Sequence, residues 1–148
     1  MVWGAFGHGG VSELVVLPKG ETVNKDVYYT ILNEHLEDAF ERTNTTIFQQ
    51  DGAPCHTAKL IKNWFADCGI QWIPDWPGNS PDLSPIENLW AIVKLKIRDR
   101  DTSTVAKLEQ ELRRPWHAID PEILQSLADS APRRLAEVVK RKGEVTKY

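Results

Sequence analysis

Phe48-Gln49-Gln50-Asp51-Gly52-Ala53-Pro54-Cys55-His56-Thr57-Ala58 is the stretch on which the fold turns. The spacing predicts a short strand over 45–49, and Gly52-Ala53-Pro54 takes the chain sharply out of the sheet. Downstream, Leu60, Ile61, Trp64 and Phe65 mark one face of a helix that Gly69 stops, and residues 70–73 read as a further strand. Asp51 therefore closes a strand inside a strand–helix–strand alternation. A carboxylate at a strand's C-terminal end is well placed to line a cleft in an α/β sheet. Taken alone, Asp before Gly is also ordinary turn chemistry.

Outward toward the start, residues 2–6 and 12–17 read as two short strands around Gly7, Gly9 and Gly10. Pro18 and Gly20 close this hairpin. Val27, Ile31, Leu32, Leu36 and Phe40 predict an amphipathic helix over 25–42. Outward toward the end, a Pro- and Gly-rich loop over 75–84 precedes a helix with Ile86, Leu89, Trp90, Val93 and Ile97 on one side. Beyond Arg100 the pattern is helical. Pro115 is expected to end or kink one helix, while Asp120-Pro121 and Ser130-Ala131-Pro132 each read as a helix start. Strands first, then alternation, then helices predict an α/β domain over 1–102 and a helical C-terminal extension over 103–148 packed on it.

The 148 residues suffice for one core. With 41% hydrophobic and 26% charged residues, disorder and fibrous repeats are excluded. No apolar run spans a membrane, and no signal-peptide pattern opens the chain, which fits a soluble protein of a reducing compartment. Cys55 and Cys68 are too few for a disulfide framework and read as buried small residues. The net charge of −3 argues against nucleic-acid binding, but the charge is uneven. Residues 1–90 hold 5 Lys and Arg against 12 Asp and Glu, and residues 91–148 hold 13 against 9. That split suits metal-binding carboxylates beside a phosphate-binding surface, or simply two solvated faces.

A second segment, Trp76-Pro-Gly-Asn-Ser-Pro-Asp-Leu-Ser84-Pro85-Ile86-Glu87-Asn88-Leu89-Trp90, carries the other candidate carboxylate. Ser84, Pro85 and Glu87 fit a capping box, with Ser84 as N-cap and Glu87 at the third helical position. Together, the Asp51 and Glu87 segments resemble those around the second catalytic Asp and the catalytic Glu of Tc/mariner-type transposases. Trp3-Gly4 is similar to that family's hairpin after its first strand. The tail through Arg133-Arg134, Lys142-Gly143 and Thr146-Lys147-Tyr148 is similar to its C-terminus. The resemblance implies a ribonuclease-H-like (DDE) fold and a magnesium- or manganese-dependent DNA nuclease and strand-transfer site. Asp51 and Glu87 correspond to two of its metal ligands and catalytic residues. Such a carboxylate set suits hard divalent cations that activate a water or a DNA 3′-hydroxyl and stabilise the leaving oxygen.

Thirty-five residues separate Asp51 from Glu87, one more than the spacing commonest in the Tc branch. The family's first catalytic Asp precedes the Trp-Gly hairpin, and no Asp occurs here before Asp26. The expectation is thus a fold truncated at its N-terminus: a fragment or remnant of a transposase catalytic domain, inactive alone. The alternative is a non-catalytic nucleic-acid-binding or protein-interaction product of a decayed element. The resemblance further implies DNA (transposon ends and target) as partner, a homodimer or an intact transposase as a possible second one, and a nuclear location. Neither a membrane nor a small-molecule substrate is expected.

The candidate DNA contacts are His56, Trp76, Lys94 and Arg98. His56 either touches DNA or orients the site, or it caps and packs before the helix. Trp76 stacks on DNA or packs in the core. Lys94 and Arg98 share Glu87's side of the helix, where they meet phosphates or are simply solvated.

Overall fold

The computed structural model describes residues 1–77 and 83–141. Its N-terminal hairpin comes in two segments. Strand β1 (Val2–Trp3) pairs antiparallel with β4 (Val15–Val16), and β2 (Phe6–Gly7) pairs with β3 (Gly10–Val11). Trp3 lies opposite Val15 but Phe6 lies opposite Val11, so the returning strand carries one extra residue between the two ladders. This is a β-bulge at Ser12–Leu14, and it explains why the two predicted strands are broken into pairs. The buried Ser12 repairs the ladder: its hydroxyl accepts from the Ala5 N–H at 2.8 Å and donates to the Glu13 carbonyl.

Helix α1 (Lys25–Thr43) follows the predicted span. Asn24 caps it by accepting from the Asp26 and Val27 N–H groups, and Asn44 ends it in the left-handed region. Its buried face, including Tyr28, Ile31, Leu32, Leu36 and Ala39, lies over the sheet. Strand β5 (Ile47–Phe48) is shorter than expected and pairs in parallel with β6 (Gln71–Trp72). Between them lies α2 (Lys59–Asp67), which buries Ile61 and Phe65. Gly69 stops this helix at φ 66°. Cys68, expected to be buried, is exposed because it sits in that terminating turn, and Cys55 is half-buried.

The helical half departs from the sequence reading in two places. Helix α3 (Ile86–Ile97) buries Leu89 and Val93 as expected. Helix α4 (Val105–His117) continues through Pro115, which was expected to end or kink it and does not end it. The reason is the next residue: Trp116 is fully buried, donates its indole N–H to the Ser12 carbonyl at 2.7 Å and stacks on Trp90. That packing outweighs one missing helical hydrogen bond. Helix α5 (Pro121–Lys140) begins as predicted at Asp120-Pro121, but Ser130-Ala131-Pro132 starts nothing, since Pro132 lies inside it. The Ser130 hydroxyl, buried rather than capping, donates to the Leu127 carbonyl and accepts from Arg134.

Two apolar clusters result. One joins the hairpin to α3, α4 and α5 through Leu14, Leu89, Val93, Leu112, Trp116 and Leu124. The other joins α1, α2 and β5 through Tyr28, Leu32, Leu36, Phe48, Ile61 and Phe65. Glu13, carried on the bulge, reaches Arg42 of α1 and Arg113 and His117 of α4, each at 3.2–3.3 Å. No helix among the described residues is long and apolar enough to cross a membrane.

Candidate active site

Asp51 stands just past the C-terminal end of β5, where the sheet hands the chain to a tight turn. Its Oδ1 accepts from the Ala53 N–H at 3.0 Å, an Asx-type turn, and from His56 Nδ1 at 2.5 Å. The carboxylate is 55% exposed, so its second oxygen remains open to solvent. His56 is held in turn. Its ring lies 4.1 Å from that of Tyr28, and its carbonyl accepts from Gln50 Nε2 at 3.0 Å. The Tyr28 hydroxyl donates to Gln50 Oε1 at 2.6 Å. Burial pushes the Tyr28 phenol far above its ordinary range, helped by the neighbouring Cys55 and Asp51, so it stays a neutral donor. Burial likewise raises the Cys55 thiol, which removes it as a ready nucleophile.

Glu87 occupies the first turn of α3, where a carboxylate suits the helix dipole. The expected capping box is not formed. The helix begins at Ile86, and the turn before it closes through backbone, with the Glu87 N–H donating to the Ser84 carbonyl at 3.1 Å. Pro85 occupies the N-cap position and cannot cap with its side chain, so Ser84 stands one residue too early for the role. Glu87 is exposed and makes no side-chain hydrogen bond or ion pair among the described residues.

Asp51, His56 and Glu87 line one cavity of about 470 Å³, which runs between β1 and β5 over the inner face of α1. A smaller depression beside it is lined by Asp51, His56, Lys62, Asp75 and Trp76. Trp76 is half-buried and its indole Nε1 is buried without a partner, intermediate between the two roles foreseen for it. Lys94 is exposed on α3, and Arg98, just past its end, makes only a loose 3.8 Å contact with exposed Asp99. Neither lines the cavity. Among the described residues, no group of three His, Cys, Asp or Glu side chains is placed to hold a metal.

Sequence reasoning missed the brace formed by Tyr28 and Gln50. Gln50 was visible as the polar neighbour of Asp51. Tyr28 was not among the positions that predict α1, and only the fold brings its hydroxyl to Gln50, 22 residues away.

The description DDE superfamily endonuclease matches residues 3–109. The chain is 36% identical over its whole length to the Tcb2 transposase of Caenorhabditis briggsae, covering 54% of that protein. It is 32% identical over its whole length to the Tc3 transposase of Caenorhabditis elegans, covering 45%. It therefore spans about half the length of the curated relatives it matches. Among solved structures, the catalytic domain of Mos1 transposase with raltegravir and Mg superposes at a TM-score of 0.88, with 24% identity, covering 99% of this chain and 77% of that one. The Mos1 strand transfer complex superposes at 0.86, with 26% identity over 99% of this chain and 44% of that one. The fold is ribonuclease-H-like, and the chain belongs to the DDE superfamily of endonucleases as a Tc/mariner-type transposase domain.

Proposed function

We propose that this chain is part of a transposase catalytic domain that cuts and joins DNA with divalent metal, and that Asp51 and Glu87 are two of its carboxylate ligands. The observation that carries the reading is their meeting in one cavity: carboxylates with 35 residues between them in the chain line the same space. Oxygen donors of this kind suit magnesium or manganese, and solved Mos1 structures are described with both ions. When bound, such ions supply the activation of a water or 3′-hydroxyl and the stabilisation of the leaving oxygen.

The chain's own residues position the ligands. The Ala53 N–H and His56 hold Asp51 Oδ1, leaving Oδ2 to face the cation, and the Tyr28–Gln50 pair keeps His56 from swinging away. His56 is thus a positioning residue rather than a DNA contact. Transposon ends and target DNA are the substrates under this reading, as Mos1 complexes with transposon ends suggest. Exposed Lys94 and Arg98 would track the phosphates along α3, and Trp76 would close the depression next to Asp51. Work on chromosomal DNA implies a nuclear location, and a homodimer or an intact transposase is the expected protein partner.

Among the described residues, two carboxylates without a third favour weak binding of one ion and no turnover by these residues alone. Titration with Mn²⁺, followed by water-proton relaxation, should show one weak site that Asp51→Asn or Glu87→Gln each weakens by about tenfold or more. Plasmid nicking by the chain alone should stay at background. Unchanged Mn²⁺ binding in both variants would overturn the ligand assignment. Magnesium-stimulated nicking abolished by Asp51→Asn would overturn the need for a further carboxylate.

A further inference from the structure

Helix α5 turns a polar face inward. Its buried residues are Leu124, Ser130 and Arg134, and Arg134 is only 2% exposed, a depth that arginine rarely reaches. Its Nε donates to the Ser130 hydroxyl at 2.8 Å, and its Nη2 reaches across to α3 and donates to Asn88 Oδ1 at 2.7 Å. Ser130 is oriented in turn by donating to the Leu127 carbonyl at 2.6 Å. Holding α5 against its neighbours does not require this chemistry, since an apolar pair at 130 and 134 would fill the same space, commonly at no loss of stability. A planar guanidinium bonded through two of its nitrogens does what apolar contacts do not: it sets a direction.

What it directs is the first turn of α3. Asn88 follows Glu87 within that turn. The turn has no side-chain cap and closes through backbone, the Glu87 N–H donating to the Ser84 carbonyl and the Asn88 N–H to the Pro85 carbonyl, both at 3.1 Å. Farther along, Leu89 and Val93 anchor α3 by packing, which is non-directional and opposes roll about the helix axis only weakly. Successive residues stand about 100° apart around a helix, so a roll or an opened first turn swings Glu87 away from the cavity it shares with Asp51. The bond from Arg134 to Asn88 is the one side-chain hydrogen bond made by this turn among the described residues. Neither Asn88 nor Arg134 lines the cavity, and Arg134 lies beyond the residues 3–109 that match the endonuclease description.

We propose that Arg134, acting through Asn88, is a positioning residue for Glu87: α5 locks the first turn of α3 and so sets the direction from which Glu87 meets the cation. The inference rests on the reading of Glu87 as a metal ligand. The two carboxylates are then steadied from opposite ends of the chain, Asp51 by His56 with Tyr28 and Gln50, and Glu87 by a residue 46 positions beyond its neighbour Asn88.

The test is a double-substitution cycle on the full chain, read by Mn²⁺ titration with water-proton relaxation. Asn88→Ala cuts the bond at a half-buried position and leaves Arg134 with Ser130, while Arg134→Met cuts the same bond from the other side. Each should weaken Mn²⁺ binding by about tenfold, with the urea midpoint of Asn88→Ala close to that of the native chain. In a Glu87→Gln background, Asn88→Ala should bring no further loss, because the group it positions is gone. In the metal-free chain, Asn88→Ala should speed amide exchange at residues 87 and 88 by about fivefold and leave α2 unchanged. Native Mn²⁺ affinity in Asn88→Ala, beside a weakened Glu87→Gln, would overturn the positioning role and leave the ligand assignment intact. An equal further loss in the Glu87→Gln background would also overturn it, since the bond would then act on the fold and not on Glu87. Native affinity in Glu87→Gln would overturn the ligand assignment itself; the lock is then judged by exchange alone, and unchanged rates at 87 and 88 would overturn it.

Discussion

The two apolar clusters of this small protein are built from similar residues, yet they are finished to different degrees. Around Trp116, the hairpin, α3, α4 and α5 close completely: Leu89, Val93 and Trp116 are inaccessible, and the indole N–H has its carbonyl. Around Tyr28, the face of α1 also packs on Phe65 and Ile61, but its other flank borders the cavity beside Asp51, where the buried Gln49 amide has no partner among the described residues. Composition does not separate the two regions. Strand count does, because helices satisfy their own backbone and a sheet needs neighbours on both sides.

The largest effect that would sharpen this contrast is loss of the finished cluster's centre. Trp116→Ala leaves a void and strands the Ser12 carbonyl, and it should cost about 3–5 kcal/mol. In urea denaturation this should leave little folded protein. A midpoint close to that of the native chain would show that the helical half does not carry the fold.

A paired substitution asks the same question more gently. Val93→Phe adds volume where none is free and should cost about 1–3 kcal/mol. Ala5→Val adds volume at a half-buried position on the cavity wall and should be neutral or stabilising by up to about 1 kcal/mol. Equal losses from both would mean that the cavity closes in solution and that the two clusters are alike.

The smallest effect lies at the exposed lead-in to α4. Lys107 and the Ser103 side chain and backbone N–H hold the Asp101 carboxyl down to about 2. A depressed carboxylate pKa contributes stability that is present above its ordinary 3.8 and is lost as the pH falls through about 2. The carboxylate is fully exposed, so the effect on unfolding should be slight. An NMR titration should nevertheless show Asp101 ionising well below the ordinary 3.8, and Lys107→Met should return it toward that value.

Much of this molecule can be read one residue at a time. The helix over 25–42, the separate helix after Asp51, the Gly69 stop and the Asp120-Pro121 start all follow from spacing and local backbone chemistry. They need only nearest neighbours in the chain. The two motifs around Asp51 and Glu87 also pointed to the family, because two long residue strings in a fixed order are far more specific than a short pattern.

What local rules could not reach are features decided by partners far along the chain. Pro115 and Pro132 stay helical because buried side chains beside them, Trp116 bonded to Ser12 and Arg134 bonded to Asn88 at 2.7 Å, hold the helix together from outside. Glu87 gave every local sign of a capping residue, yet the helix starts one residue later and frees it. His56 remained ambiguous until Tyr28 and Gln50, distant in sequence, arrived to fix it against Asp51. The sequence by itself determined the elements, the family and the two carboxylates. Only the tertiary structure decided which side chains those elements would hold still, and that a cavity opens beside them. Hydrogen bonds and close packing between distant segments exist only once the chain has folded.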